Sequence, residues 1–559
     1  MRLIVKIVCL LAIAALTIKD AHSQALPDST VKKIDSLFKQ WNNPFVPGCT
    51  VGIVINDSLV FSKGYGSANL EYTIANTPAT IYHMASVSKQ FTAWSIVLLE
   101  QQGKLHLSDD IHKWLPWFPD LKQKITIRHL LNHTSGIRDQ WQLLAISGTR
   151  LDDVITQEHI VKILSKQQAL NFDPGEKYSY SNSGFTMLAE IVKSVTGQTL
   201  RQFTDSAIFK PLGMTSTHFH DDYTEIEKNR AYSYNQKDSH FTNSILSYSN
   251  AGATSLFTNI KDMSKWIMNF YDHKTGNQQT IDSLTKKGRL NNGKEISYAL
   301  GISVDAYRGW RQYSHSGGDA GYRTYVTVLP DLKMGFMVFS NAGNFNPNRM
   351  TDQMMKLLIK DTTQKNTPTA VVKKDSAALI LKDSVRLKKF VGDYIAEEGL
   401  PLSIEIKDRK LYYHIFNDIN VLVASTRDSF EINNSPEIKF IFSIKGKDTI
   451  VDIKTPDELY HLTKYKKDTV QSDQLLQTYT GIYYCPELDC KYGIVLKDHK
   501  LVLTNSKYND SKITVVNSDH LTSDHWWINH VKMVRNNKNQ VTGFEVNSGR
   551  IMHLKFIKL

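Results

Sequence analysis

The sequence predicts an α+β domain, an antiparallel sheet flanked by helices, followed by two small antiparallel β-barrels. Three observations predict it. Within roughly the first 360 residues, strand-rich runs come first and last, with a mostly helical stretch between them, so both ends of the domain close one sheet. A polar segment then interrupts the chain, "DTTQKNTPTAVVKKDSAALILKDS". Beyond it a block of about 90 residues occurs twice, too long a period for a solenoid, with several short alternating strands in each copy.

Each element follows from local chemistry. The start is "MRLIVKIVCLLAIAALTIKDAHSQA": Arg2 and Lys6 precede an apolar run of about a dozen residues that ends in small residues. This pattern is a secretory signal with cleavage after Ser23, and the run is short for a membrane span. From Cys49, "CTVGIVINDSLVFSKGYGSANL" is a hairpin turned at Asn56-Asp57. A helix follows with Phe91, Trp94, Ile96, Val97, Leu98 and Leu99 as its apolar face and Gly103 as its stop. The region 105–290 reads as helices and polar loops, among them "SGFTMLAEIVKSVTG", which ends at Gly197. Strands return in "YALGISVDAYRGWRQYSHSGG" and in "YRTYVTVLPDLKMGFMVFSN", turned at Pro330-Asp331. In the repeat, Gly392 matches Gly481, Tyr394 matches Tyr483, and "YHLTKYKK" near 460 echoes the final "MHLKFIKL". The expected division is therefore a signal at 1–23, a catalytic domain at 24–360, a linker at 361–386, and barrels at 387–468 and 474–559.

Composition narrows the function. The chain has 559 residues, 41% hydrophobic and 22% charged, which is ordinary globular material. The net charge of +12 is scattered, with no block of five or six like charges and no basic-aromatic motif, so nucleic acid is not an expected partner. No stretch after the signal is long and apolar enough for stable membrane insertion, and the expected location is secreted or periplasmic. In that oxidising setting Cys485 and Cys490 are placed to close a small disulfide loop, leaving Cys49 as a buried thiol. The seven histidines after residue 400 lack metal-ligand spacing, and neither metal nor cofactor is expected.

Chemistry gathers at three short stretches. Ser86 and Lys89 in "YHMASVSKQFTAW" stand one helical turn apart, so the amine can reach the hydroxyl and activate it as a nucleophile. Tyr180 and Asn182 in "EKYSYSNSGF" offer a phenol that can move a proton if nearby ammonium groups lower its pKa, and an amide for a bound carbonyl. His315, Gly317 and Gly318 in "HSGGDAGYR" begin a small-residue strand whose N–H groups can complete an oxyanion hole with that of Ser86. None of these signals is specific alone. Ser-x-x-Lys recurs at Ser29/Lys32, Ser36/Lys39 and Ser283/Lys286, and Tyr-Ser-Asn recurs at Tyr248–Asn250. Asp139 and Asp319 are possible partners for a substrate ammonium, against the plainer reading of a loop aspartate making a local turn. Trp526-Trp527 reads as barrel core plus one exposed ring.

Taken in order, Ser86-x-x-Lys89, Tyr180-x-Asn182 and His315-x-Gly317 resemble the three motifs of the penicillin-binding protein and class C β-lactamase superfamily. The flanks "ITIRHLLNHTSGI", "PGEKYSYSNSGF", "AGATSLFTNIKDMSKW" and "HSGGDAGYRTYVTVLPD" resemble that family's connecting segments, over roughly residues 30–350. The resemblance implies a β-lactamase/transpeptidase-like domain, with Ser86 as acyl-enzyme nucleophile and Lys89 and Tyr180 as its acid–base network. It implies that Asn182 orients the substrate amide and that the Ser86 and Gly318 N–H groups form the oxyanion hole. Many members carry lysine where this chain has His315, which weakens the case for recognising a β-lactam or a C-terminal carboxylate. Histidine there resembles the superfamily's D-aminopeptidases and esterases, and the two following lipocalin-like barrels agree with the first of these, in which a barrel loop enters and restricts the active site. The expected activity is amide or peptide hydrolysis on a small-molecule or peptide substrate, with D-amino acids in view. The alternatives are a carboxylesterase, a β-lactamase and a non-catalytic ligand-binding homologue.

Overall fold

The computed structural model describes residues 25–360 and 384–559, apart from 409, 416–417, 433–434, 447, 456–458 and 467–471. The proposed signal and nearly all of the linker lie outside the described residues.

The first domain is built on a six-stranded sheet. Its strands are β1 (Cys49–Ile55), β2 (Ser58–Tyr65), β3 (Ser303–Tyr307), β4 (Trp310–Asp319), β5 (Tyr322–Leu329) and β6 (Met334–Ser340). They run in the order β3-β4-β5-β6-β1-β2, and antiparallel pairing of Cys49 with Ser340 joins the two ends of the domain. Asn56 takes a positive φ at the predicted hairpin turn between β1 and β2. The sheet is covered on both faces, which is why β1 is buried at nearly every position. One face packs on helices α1 (Asp28–Leu37) and α6 (Pro347–Leu358) through Ile34, Phe38, Val51, Ile53, Met350 and Met354. The other packs on the helical region, which holds α2 (Lys89–Gln101), α3 (Gln140–Ser147), α4 (Asn182–Thr196) and α5 (Ile260–Asp272). Helix α2 is buried on almost all sides, not on the single face that its apolar spacing suggests. Helix α4 stops at Gly197, in the left-handed conformation that glycine tolerates best.

After the linker come two closed barrels of eight strands each, β7–β14 from Gly392–Ala396 to Leu459–Tyr465, and β15–β22 from Gly481–Cys485 to Ile551–Lys558. In each the strands pair antiparallel in chain order and the last returns to the first. Cys485 faces Cys490 across the first pair of the second barrel, yet both are buried free thiols, so the anticipated disulfide is not formed. Cys49 is buried, and desolvation pushes its thiol pKa well up. No helix among the described residues is long and apolar enough to cross a membrane.

The barrels sit differently. The first has its own core around Tyr394, Phe430, Phe440 and Phe442. The second shares one continuous apolar core with the helical side of the catalytic domain. Polar contacts reinforce that junction. Arg138, 1% exposed at its side chain, donates to both carboxylate oxygens of Glu487 at 2.8 and 2.9 Å and to the Met552 carbonyl at 2.9 Å. Tyr492 Oη donates to the Ile146 carbonyl, and Tyr508 Oη to that of Thr149.

Candidate active site

Ser86 lies in a 3-10 turn, Ala85–Ser88, that leads directly into α2. Ala85 just before it has φ +49°, a left-handed conformation that costs a non-glycine residue energy and that surrounding contacts must hold in place. Those contacts are present. The Ala85 N–H donates to His83 Nδ1, the Ser88 hydroxyl donates to the Ala85 carbonyl, and Thr324 Oγ1 donates to the Met84 carbonyl. Strand β4 passes close by at Gly317, where a Cβ would stand 2.3 Å from the Met84 carbonyl oxygen, so only glycine fits.

Lys89 Nζ is 3.0 Å from Ser86 Oγ, 2.9 Å from Asn182 Oδ1 and 2.7 Å from the Ala253 carbonyl oxygen. Two fixed acceptors take two of its N–H bonds, and its third tetrahedral position faces the serine. The same amine can therefore hold a proton against Ser86 Oγ or present a lone pair to it. Burial pushes the Lys89 pKa well below the ordinary lysine range, against the opposing fields of Asp319 and Asp139.

Tyr180 completes the group. Lys89 Nζ lies 5.0 Å from its ring centre, and its hydroxyl interacts with Ser86. Burial is the largest influence and raises the phenol pKa above its usual value, outweighing the lowering by the Ser86 hydrogen bond and by Arg550. The expectation that ammonium neighbours would lower it is therefore corrected: desolvation wins, and at neutral pH the phenol is a proton donor.

His315 is buried, and both ring nitrogens are engaged: Nδ1 donates to the Ser316 carbonyl at 2.6 Å, and Nε2 accepts from Tyr298 Oη at 2.8 Å. Burial, aided by the field of Lys89, pushes its pKa down to about 3, so it carries no charge at neutral pH. Asn182 differs from expectation. Its Oδ1 faces Lys89, while its Nδ2 and its backbone N–H both donate to Asp139 Oδ2 at 2.8 Å. The amide is thus an anchor for the lysine more than a free hook for a substrate carbonyl. Asp139 also caps α3 through the Trp141 N–H, as the plainer reading of a local turn has it.

Ser86, Tyr180, Asn182, His315 and Gly318 line one cavity of about 340 Å³ with Trp141, Ser316, Asp319 and Arg550. The motif reading did not place several of these. Asp319 accepts from Thr254 Oγ1, which faces His83 Nε2 at 3.3 Å, so a buried polar chain leads from Ala85 to the cavity wall. Desolvation raises the Asp319 pKa, with Thr254 and Lys89 opposing. Arg550 comes from the turn between β21 (Val541–Ser548) and β22 (Ile551–Lys558) of the second barrel. A turn of the second barrel thus reaches the cavity at a position that the sequence did not name. The four decoys fall away: Ser36 Oγ donates within its own helix, Ser29 shares that helix, Ser283 lies in a separate helix, and Tyr248 is buried beneath Trp141. Trp526 is half exposed, while Trp527 packs on Tyr508 at the interdomain junction. Away from the cavity, donor atoms of His218, His220 and Glu225 lie within 4.8 Å of one another, but Arg201 engages both oxygens of Glu225.

The Beta-lactamase family model matches residues 34–359, more than half of the chain. The chain belongs to that family. Penicillin-binding protein 4* of Bacillus subtilis strain 168 is 25% identical over 425 residues, 73% of this chain and 93% of that protein. A D-aminopeptidase of Brucella anthropi is 28% identical over 299 residues, 53% of this chain and 56% of that one. In fold, the chain resembles the octameric penicillin-binding protein homologue from Pyrococcus abyssi, with a TM-score of 0.54 at 23% identity, over 78% of this chain and all of that one. The enzyme is thus a β-lactamase-related serine hydrolase, and the three motif stretches converge on one cavity as that family's would.

Proposed function

We propose that this chain is an exported amidase or peptidase that hydrolyses D-amino-acid amides or peptides through an acyl-enzyme on Ser86. One observation carries the chemistry: Lys89 Nζ stands 3.0 Å from Ser86 Oγ with its other positions held by Asn182 and Ala253. Ser86 Oγ attacks the amide carbon and its proton passes to Lys89, whose depressed pKa makes the neutral amine accessible. The oxyanion faces the Ser86 and Gly318 N–H groups. The leaving nitrogen takes a proton from the neutral Tyr180 phenol, which Lys89 replenishes. Water then cleaves the acyl-ester by the same route.

Preference for an amine-bearing D-substrate rests on similarity to the D-aminopeptidase and on His315, which is neutral where many relatives hold a lysine. Export rests on the N-terminal signal pattern. The test is a panel of D- and L-amino-acid p-nitroanilides, p-nitrophenyl esters and nitrocefin, run beside Ser86→Ala. D-anilide turnover that vanishes in the variant is expected. Equal turnover by variant and wild type would sink the nucleophile assignment, and ester cleavage alone would make it an esterase. Because Lys89 must be unprotonated, kcat/KM should rise with pH through a midpoint well below the usual lysine value of about 10.4. A rise only at that ordinary value would remove Lys89 as the base.

A further inference from the structure

Arg550 occupies a position that the motifs did not anticipate. Its turn is pinned from both sides: the Arg550 N–H donates to Gln142 Oε1 at 3.0 Å, and its carbonyl accepts from Asn171 Nδ2 at 2.8 Å. Gly549 before it has φ +58°, which permits the tight reversal. From this fixed base the side chain reaches over Tyr180, with Cζ 4.8 Å from the ring centre, and remains 47% exposed. Its nearest carboxylate, Asp139 Oδ2, is 3.7 Å away and already accepts two N–H groups from Asn182. Among the described residues the guanidinium donates no hydrogen bond within 3.5 Å.

Arg550 and Tyr180 also line a second cavity, of about 840 Å³, between the catalytic domain and both barrels. The guanidinium therefore stands where the reaction pocket opens into room for the rest of a substrate. The other cations near Ser86 are committed. Lys89 is fully buried and spans three acceptors. Arg323 donates to the Ala320 and Tyr322 carbonyls. His315 is neutral, with both nitrogens occupied, and is no cation at all.

Resting on the hydrolase reading above, we infer that Arg550 is a carboxylate-binding residue. The second barrel supplies in this cleft the cation that β4 lacks, and the enzyme favours amide substrates whose leaving portion carries a carboxylate, as in a short peptide with a free C-terminus. A guanidinium held on a rigid turn with its donors unspent presents the paired N–H geometry that matches a carboxylate. An ammonium-bearing leaving group would be repelled from the same place.

The experiment compares D-alanyl-glycine with D-alanyl-glycinamide, which differ only in that carboxylate, for wild type, Arg550→Lys and Arg550→Ala. Wild type should prefer the free acid at least tenfold in kcat/KM, and the preference should weaken as ionic strength rises. Arg550→Ala should bring the acid-to-amide ratio close to one, with Arg550→Lys between. A wild-type ratio near one, or a ratio unchanged in Arg550→Ala, would overturn the assignment. An equal loss on both substrates would also overturn it, because Arg550 would then act through Tyr180 or barrel docking. Equilibrium binding of both dipeptides to Ser86→Ala and to Ser86→Ala/Arg550→Ala, followed by calorimetry, separates this from the hydrolase reading. Tighter binding of the acid that disappears with Arg550 supports the subsite even if neither dipeptide is turned over. Equal binding refutes it even if both are.

Discussion

In both barrels a glycine opens the first strand, Gly392 or Gly481, and two residues later a buried tyrosine donates its hydroxyl to the carbonyl four residues back: Tyr394 to Phe390 at 2.7 Å, Tyr483 to Tyr479 at 2.6 Å. The copies thus share a bond that ties the first strand to the last residue of the short helix before it, Ser384–Phe390 or Asp473–Tyr479. They differ in what their outer surfaces meet. The first keeps a separate core. The second fuses its core with the catalytic domain, buries Glu487 against Arg138 and places Arg550 in the cleft. In sequence, aligning "YHLTKYKK" with "MHLKFIKL" puts Glu458 of the first copy where the second has Arg550, a residue of opposite charge. Duplication supplied one scaffold, and a few surface residues divided it into a module that contacts chemistry and a module that does not line the reaction pocket.

Removing either barrel tests this most severely. A chain ending at Asp473 should aggregate or lose its cooperative melt, because it exposes apolar core and strands Arg138 without Glu487. Excision of 387–468 should leave a soluble catalytic domain whose melting, followed by calorimetry, is little changed. Similar behaviour of the two deletions would erase the distinction. Core truncations come next. Phe544→Ala and Phe442→Ala each remove a buried aromatic stacked on another ring, worth about 3–5 kcal/mol. The first should lower the transition that includes the catalytic domain, the second only that of its own barrel. Glu487→Ala should cost about 3 kcal/mol or more, read in urea unfolding, since it leaves a buried guanidinium unpaired. Gln142→Ala removes contacts to Ser548, Trp527 and Arg550, and should cost about 1–3 kcal/mol while raising KM more than it lowers kcat. Tyr508→Phe, which loses one partly buried bond to Thr149, should cost no more than about 1.5 kcal/mol.

The sheet, its hairpins and both barrels were legible because period-two apolar runs and turn residues are local signals. So were Ser86, Lys89 and Tyr180, which short motifs carry. The missing pieces share a cause. The direction of the Tyr180 shift depends on desolvation against a hydrogen bond, a balance that only packing decides. Asn182 turning its amide nitrogen to Asp139 depends on a contact 43 residues away. Asp319 is buried through Thr254 and His83, which no motif links. Arg550 reaches the site through a barrel turn whose sequence, Ser-Gly-Arg, looks like any exposed reversal.

The Gln142–Arg550 bond that pins this turn joins residues 408 apart. The barrel that carries the arginine shares its core with the catalytic domain, so the turn and the nucleophile are completed by the same cooperative folding event. A molecule that has not docked its second barrel is therefore unfinished at Ser86 as well as at Arg550, and an active enzyme is one that already carries its selectivity.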